Sequence, residues 1–149
     1  MVTELPRIAL KAIGIVRNGI KQRPEQGWEK VISEIVVDSS LDEALDNLDE
    51  FSHLIVLFWM HQATTGQLPM KVHPMGKVGL PLVGLFATRS PHRPNPVGEA
   101  TVRLLRRRGN VLVVQGLDAI DGTPVIDIKP YIPRCDSAAD AKVPPWITK

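Results

Sequence analysis

Between Arg89 and Pro96 the chain sets two guanidinium groups, an imidazole and an amide among three prolines, in the order Arg89-Ser90-Pro91-His92-Arg93-Pro94-Asn95-Pro96. Proline fixes φ, removes a backbone donor and pushes the residue before it toward extended geometry. A segment this stiff loses little entropy when it is held in one shape, so its polar groups point in set directions. That suits an anionic or polar ligand. The competing reading is a rigid surface connection whose arginines face water.

Residues 118–131 form a second informative stretch, Asp-Ala-Ile-Asp-Gly-Thr-Pro-Val-Ile-Asp-Ile-Lys-Pro-Tyr. Asp121-Gly122 predicts a turn. In a strand after it, Val125, Asp127 and Lys129 share one face and Ile126 and Ile128 the other. Asp127 and Lys129 then either pair across a pocket or decorate a solvated face. Arg103, Arg106, Arg107 and Arg108 make a basic patch that suits nucleic-acid phosphates and equally suits keeping a strand end soluble.

Other chemistries are disfavoured. No G-x-x-x-x-G-K loop is present, and Gly76, Gly79 and Gly84 are too widely spaced for a dinucleotide-binding turn, which argues against a Rossmann fold. His53, His61, His73 and His92 lack close pairing, and His53 and His61, on one strand face, would stand roughly 26 Å apart at the usual rise. With Cys135 as the single cysteine, no structural zinc or other metal is expected.

The elements that must position these groups are mostly strands. Ile8–Val16, closed by Arg17-Asn18-Gly19, predicts a first strand and turn. Residues 20–28 are polar and predict a loop. The β-branched run Lys30–Asp38 predicts a second strand. In Leu41–Phe51 the apolar residues recur at helical spacing, with Ser40 as N-cap and Asp42 and Glu43 at the positive end, predicting the one main helix. Ser52–Gln62 reads as a buried central strand ending in His61-Gln62. Residues 63–77 read as a long loop. Val78–Thr88 reads as another strand, with Pro81 marking an edge or bulge. Glu99–Arg107 and Val111–Leu117 form a hairpin around Arg108-Gly109-Asn110, and Val125–Lys129 is a last strand. The proline- and charge-rich tail from about residue 132 is expected to run over the surface or reach a neighbour. Six or seven short strands without βαβ alternation predict a mostly-β barrel or sandwich.

A chain of 149 residues that is 44% hydrophobic predicts one domain over residues 1–149 with a real core. A net charge of +2 is compatible with an RNA partner without demanding one. The lone cysteine fits a reducing cytosol. The N-terminus lacks a signal pattern and the run Leu54–Met60 is too short to span a bilayer. A soluble, cytoplasmic protein with no membrane partner is expected.

Taken together, Phe-Ser-His-Leu at 51–54, His61-Gln62, the motif from Phe86 to Gly98 and the motif from Asp121 to Tyr131 resemble the TrmO family, also called TsaA or YaeB-like. The resemblance runs from about residue 8 to residue 133. It implies an S-adenosyl-L-methionine-dependent methyltransferase built on a single β-barrel, acting on N6 of threonylcarbamoyl-adenosine at position 37 of tRNA. It also implies a homodimer with the cofactor near the subunit interface and the tRNA anticodon loop as partner. Cofactor contacts would fall on Gln26, Gly27, His61, Gln62, Arg89, Glu99, Leu117 and Asp118, and substrate contacts on Arg93 and Asn95. Arginine suits the methionyl carboxylate, and aspartate suits a ribose hydroxyl or amino group. Asp118, Asp121 and Asp127 are candidates for a weak base, Lys129 and Tyr131 for orienting the acceptor.

Two departures from the family pattern stand out. Glu99-Ala100 occupies a place where relatives commonly carry an apolar residue and serine, and the longer bacterial relatives have a further C-terminal domain thought to help hold tRNA. A binding module without transfer, and a methyltransferase for a small molecule, are the alternatives.

Overall fold

A computed structural model describes residues 4–63 and 66–147. The parts of the terminal and 63–77 readings that fall on the remaining residues lie outside the described residues. Among the described residues there are eight strands: β1 Gly14–Arg17, β2 Ile32–Val37, β3 His53–Trp59, β4 Lys71–Val72, β5 Val83–Gly84, β6 Val97–Arg108, β7 Val111–Gln115 and β8 Pro124–Pro130. Six of them close a barrel in the order β1-β2-β7-β6-β3-β8, and β4 pairs with β5 in a separate two-stranded sheet. The mostly-β barrel expectation is met, and the barrel rather than the sandwich is the form taken.

Alternation builds the core. In β3, Leu54, Val56 and Phe58 point inward while their neighbours are half-exposed. Val16, Ile35, Val37, Val102, Leu112, Val114 and Val125 join them, all essentially excluded from solvent. Full closure leaves the barrel no unpaired edge strand. The β6–β7 hairpin turns on Gly109 and Asn110, with Arg108 opposite Val111 and Gly109 at φ 58°. That positive φ favours glycine.

Four local expectations need correction. The first strand is shorter than Ile8–Val16: only Gly14–Arg17 pairs, and Ile8 and Leu10 are exposed. Leu41–Phe51 is not one α-helix but two 3-10 segments, Ser39–Leu45 and Leu48–Glu50, broken at Asn47 with φ 70°. Its cap is Asp38, whose carboxylate accepts from the Ser40 N–H at 2.9 Å. Apolar spacing of three to four residues selects the buried face, here Leu41, Leu45 and Leu48, and is compatible with either helix type. Arg107 then pins the segment, donating to the carboxylates of Asp42 and Asp46 at 3.2 and 3.1 Å.

The third correction is at Val78–Thr88. Only Val83–Gly84 lies in a ladder, and Leu85–Ala87 is a 3-10 turn. The Gly79-Leu80-Pro81 run denies a continuous ladder. The fourth lies in β8. Leu57 opposes Asp127 whereas Phe58 opposes Val125, so Ile126 is an inserted bulge residue. Val125 and Ile128 therefore face the core, and Val125 does not share a face with Asp127 and Lys129. Beyond β8, Pro133–Asp136 forms a single helical turn, α1, and residues 134–145 are exposed.

Candidate functional site

The site begins where β7 ends. Gly116, at φ 94°, redirects the chain, and its N–H donates to the Val31 carbonyl at 2.9 Å. Leu117 and Ala119 then plug into the core, 0% and 4% exposed. Alternation leaves Asp118 between them on the opposite side. Its Oδ1 is buried and accepts no hydrogen bond. The same is true of one donor beside it: the indole Nε1–H of Trp28 is buried with no acceptor. Gly27, at φ 95°, turns the chain into Trp28 at the start of a 3-10 turn.

Trp28 and Asp118 stand where two cavities meet. One is an open groove of about 1060 Å³, lined among others by Arg89, Glu99, Arg103 and Tyr131. The other is a recess of about 170 Å³, lined by Phe58, His61, Gln62 and His92. Burial raises the Asp118 carboxyl above the ordinary carboxylate range. Its own N–H, Arg23 and Arg89 partly offset this. A buried acceptor, a buried donor and a nearby arginine outside any ion pair are the chemistry of a site that takes a polar ligand. Among the described residues no carboxylate lies within ion-pair distance of Arg89.

The structure thus brings together His61, Gln62, Arg89, Glu99, Asp118 and Tyr131. Leu117 contributes as the plug that sets Asp118, and Gln26 and Gly27 lead into Trp28. Other candidates lie elsewhere. Arg93 folds back on its own loop, donating to the carbonyls of Thr88 and Ser90 at 2.8 and 3.1 Å over the Phe86 ring. Asn95 lines a separate apolar groove with Ile8, Leu10 and Trp59. Asp127 and Lys129 pair with each other at 3.2 Å, on neither cavity.

Asp121 serves the fold. Its Oδ1 accepts from the N–H groups of Asn18 and Gly19 at 2.9 and 3.1 Å, and Lys21 donates to Oδ2 at 3.0 Å. These bonds hold its carboxyl well below the usual range of about 3.8. A depressed carboxyl stabilises the fold above its unfolded pKa, and that contribution is lost as pH falls through the folded value. Asp121→Asn is therefore expected to lower the melting temperature near neutral pH, with the gap from wild type closing in strong acid. Thermal melts across that range check it, and a gap independent of pH counts against the assignment.

The model of the tRNA-methyltransferase O N-terminal domain matches residues 17–137. The chain belongs to the TrmO family. A solved TrmO structure from Pseudomonas aeruginosa has a TM-score of 0.75 at 36% identity, covering 93% of this chain and 62% of that one. An Archaeoglobus fulgidus protein named S-adenosyl-L-methionine-binding protein is 41% identical over 131 residues, covering 85% of this chain and 91% of that protein. The tRNA (adenine(37)-N6)-methyltransferase of Escherichia coli is 37% identical over 140 residues, covering 87% of this chain and 60% of the enzyme. Another Archaeoglobus fulgidus relative is 44% identical over 140 residues, and this chain spans 37% of its length.

Within this TrmO-family barrel, three residues that line these cavities are not singled out as site residues by the sequence. Trp28 follows the Gln26-Gly27 pair in a polar loop without periodicity. His53 lies in the Phe-Ser-His-Leu run at 51–54, but its place on the groove follows only from the register that sets it opposite Arg103. Arg103 itself reads as one of four arginines, and only the outward face of β6 singles it out.

Among the described residues there is no group of three or more His, Cys, Asp or Glu that could hold a metal ion, and no helix is long and apolar enough to cross a membrane.

Proposed function

We propose that this chain is an S-adenosyl-L-methionine-dependent methyltransferase acting on N6 of adenine 37 in tRNA, with threonylcarbamoyl-adenosine as the acceptor, in the cytoplasm and as a homodimer. The observation that carries the reading is the pair of unpartnered buried groups, Asp118 Oδ1 and Trp28 Nε1–H, at the junction of two cavities. The donor set fits the cofactor. Asp118 needs N–H or O–H donors, which an amino group or ribose hydroxyls offer. Trp28 needs an acceptor, and Arg89 needs an anion such as a carboxylate. His61 and Gln62 close the recess beyond Phe58, a mostly apolar space suited to a planar base.

When bound, S-adenosyl-L-methionine supplies an electrophilic methyl on a sulfonium. The residues here bind and orient, and Asp118 and Glu99 stand on the groove as carboxylates able to receive an acceptor proton. Self-association is supported by the arm outside the barrel, where Met70, Met75, Val78, Leu82 and Phe86 are all exposed. Binding without transfer is the second reading. It is favoured by the Archaeoglobus fulgidus relative matched over 91% of its length, which is named for binding alone.

Calorimetric titration with S-adenosyl-L-methionine tests the cofactor. Arg89→Ala is expected to weaken binding tenfold or more, since a charge-assisted contact contributes about 1.5–3 kcal/mol. Absence of binding by wild type overturns the reading. Release of S-adenosylhomocysteine with tRNA, compared with and without the threonylcarbamoyl group, separates transfer from binding and fixes the acceptor.

A further inference from the structure

The open groove of about 1060 Å³ slightly exceeds the range, about 300–1,000 Å³, that holds one small ligand. With part of the cofactor in the adjoining recess, as the proposed function has it, the groove has room for a second molecule. Its outer wall is a connected cluster. Tyr131 and His53 meet edge to face, 6.3 Å between centroids at 62°. The Tyr131 N–H donates to the His53 carbonyl at 3.0 Å, and His53 Nδ1 lies 2.7 Å from the Ser52 hydroxyl. Across the β3–β6 ladder His53 sits opposite Arg103. Arg103 is exposed and, among the described residues, forms no ion pair.

A braced aromatic ring beside an arginine outside any ion pair is the equipment for one nucleotide: a face for a base and a cation for a phosphate. The acids on the same groove, Glu29, Glu99, Asp118 and Asp136, repel a polyanion that would lie along it. A single splayed-out nucleotide fits this mixture and a duplex backbone does not. We propose that Tyr131, His53 and Arg103 form the acceptor subsite. In it a single-stranded RNA base stacks on Tyr131, and Arg103 holds the phosphate beside it. This rests on the methyltransferase reading and extends it to a place in the fold.

The test uses the full chain and a synthetic anticodon stem-loop, with affinity read by fluorescence anisotropy at several salt concentrations. Loss of one stacked base predicts that Tyr131→Leu binds the stem-loop about tenfold more weakly, while Tyr131→Phe binds as wild type. Arg103→Gln is expected to weaken binding and to reduce the slope of log K against log salt by about 0.7, the value for one single-strand phosphate. S-adenosyl-L-methionine affinity, measured by calorimetry, stays within twofold in all three variants. Should Tyr131→Leu fail to fold, Arg103→Gln still decides, because an exposed arginine outside any ion pair is replaced.

Wild-type affinity and slope in Arg103→Gln, or wild-type affinity in a folded Tyr131→Leu, overturn the subsite. So does a wild-type protein that does not bind the stem-loop. If wild type methylates tRNA and the variants bind it equally well, the subsite alone falls. If wild type binds S-adenosyl-L-methionine and turns over no tRNA, the methyltransferase reading falls with it.

Discussion

Asp118→Asn is expected to give a protein that melts higher than wild type near neutral pH and holds S-adenosyl-L-methionine more weakly. In the free protein the carboxylate is desolvated and its Oδ1 accepts nothing. Its folded pKa lies above the ordinary 3.8. For a carboxyl raised on folding, stability is greatest below the unfolded pKa and falls as pH rises through the folded value. Ionised Asp118 therefore costs stability at neutral pH, and a neutral amide of the same shape removes that cost. In the proposed complex the same charge receives donors, and a hydrogen bond to a charged group contributes about 1.5–3 kcal/mol, so affinity is expected to drop about tenfold to a hundredfold.

Thermal melts of free wild type and variant, run from neutral pH downward, should show the variant's advantage shrinking as the wild-type carboxyl protonates. Calorimetry measures the affinity. A variant that melts lower and binds equally well would make Asp118 a structural group with no part in the site.

Gly98→Ala has the second large effect. Gly98 in β6 lies directly opposite Phe58 in β3. A Cβ at Gly98 would lie 2.3 Å from Phe58 Cε2 and 2.5 Å from Cζ, distances that real atoms do not sustain. Phe58 is 3% exposed and packed in the core, so relief requires the ring to turn or β6 to move. Overpacking of this kind costs about 1–3 kcal/mol. Phe58 itself lines the recess, which offers the ring open space. The variant is therefore expected to lose stability in denaturant titration and to lose cofactor affinity as the ring invades the recess. Unchanged stability would show that the barrel wall gives way at no cost. Lost stability with full affinity would place the cofactor's base end elsewhere.

The legible parts of the fold were those that a two-residue period controls. Leu54, Val56 and Phe58 announce β3, and Gly109 announces the β6–β7 turn. Legibility fails where an isolated event breaks the period. One inserted residue, Ile126, separates Val125 from Asp127 and Lys129, and no count along the chain reveals it. In Leu41–Phe51 the buried face was readable. The break at Asn47, with φ 70°, and the bridge from Arg107 on a distant hairpin to Asp42 and Asp46 were not. The stiffness of residues 88–96 was anticipated from the prolines. The structure adds that Arg93 ties the same segment through two carbonyls. Of the site, the motifs around His61, Arg89 and Asp118 were visible. The property that marks Asp118 and Trp28, polar atoms buried without partners, exists only once Leu117 and Gly27 have folded and cannot be written in residue types.

The alternation of β6 has a consequence for how such proteins diverge. Gly98 and Val102 face inward and are buried, while Glu99, Thr101 and Arg103, interleaved with them, line the groove. Two selective pressures thus act on alternate letters of a single strand. A change at an outward letter alters the lining of the groove, and the inward letters hold the barrel constant.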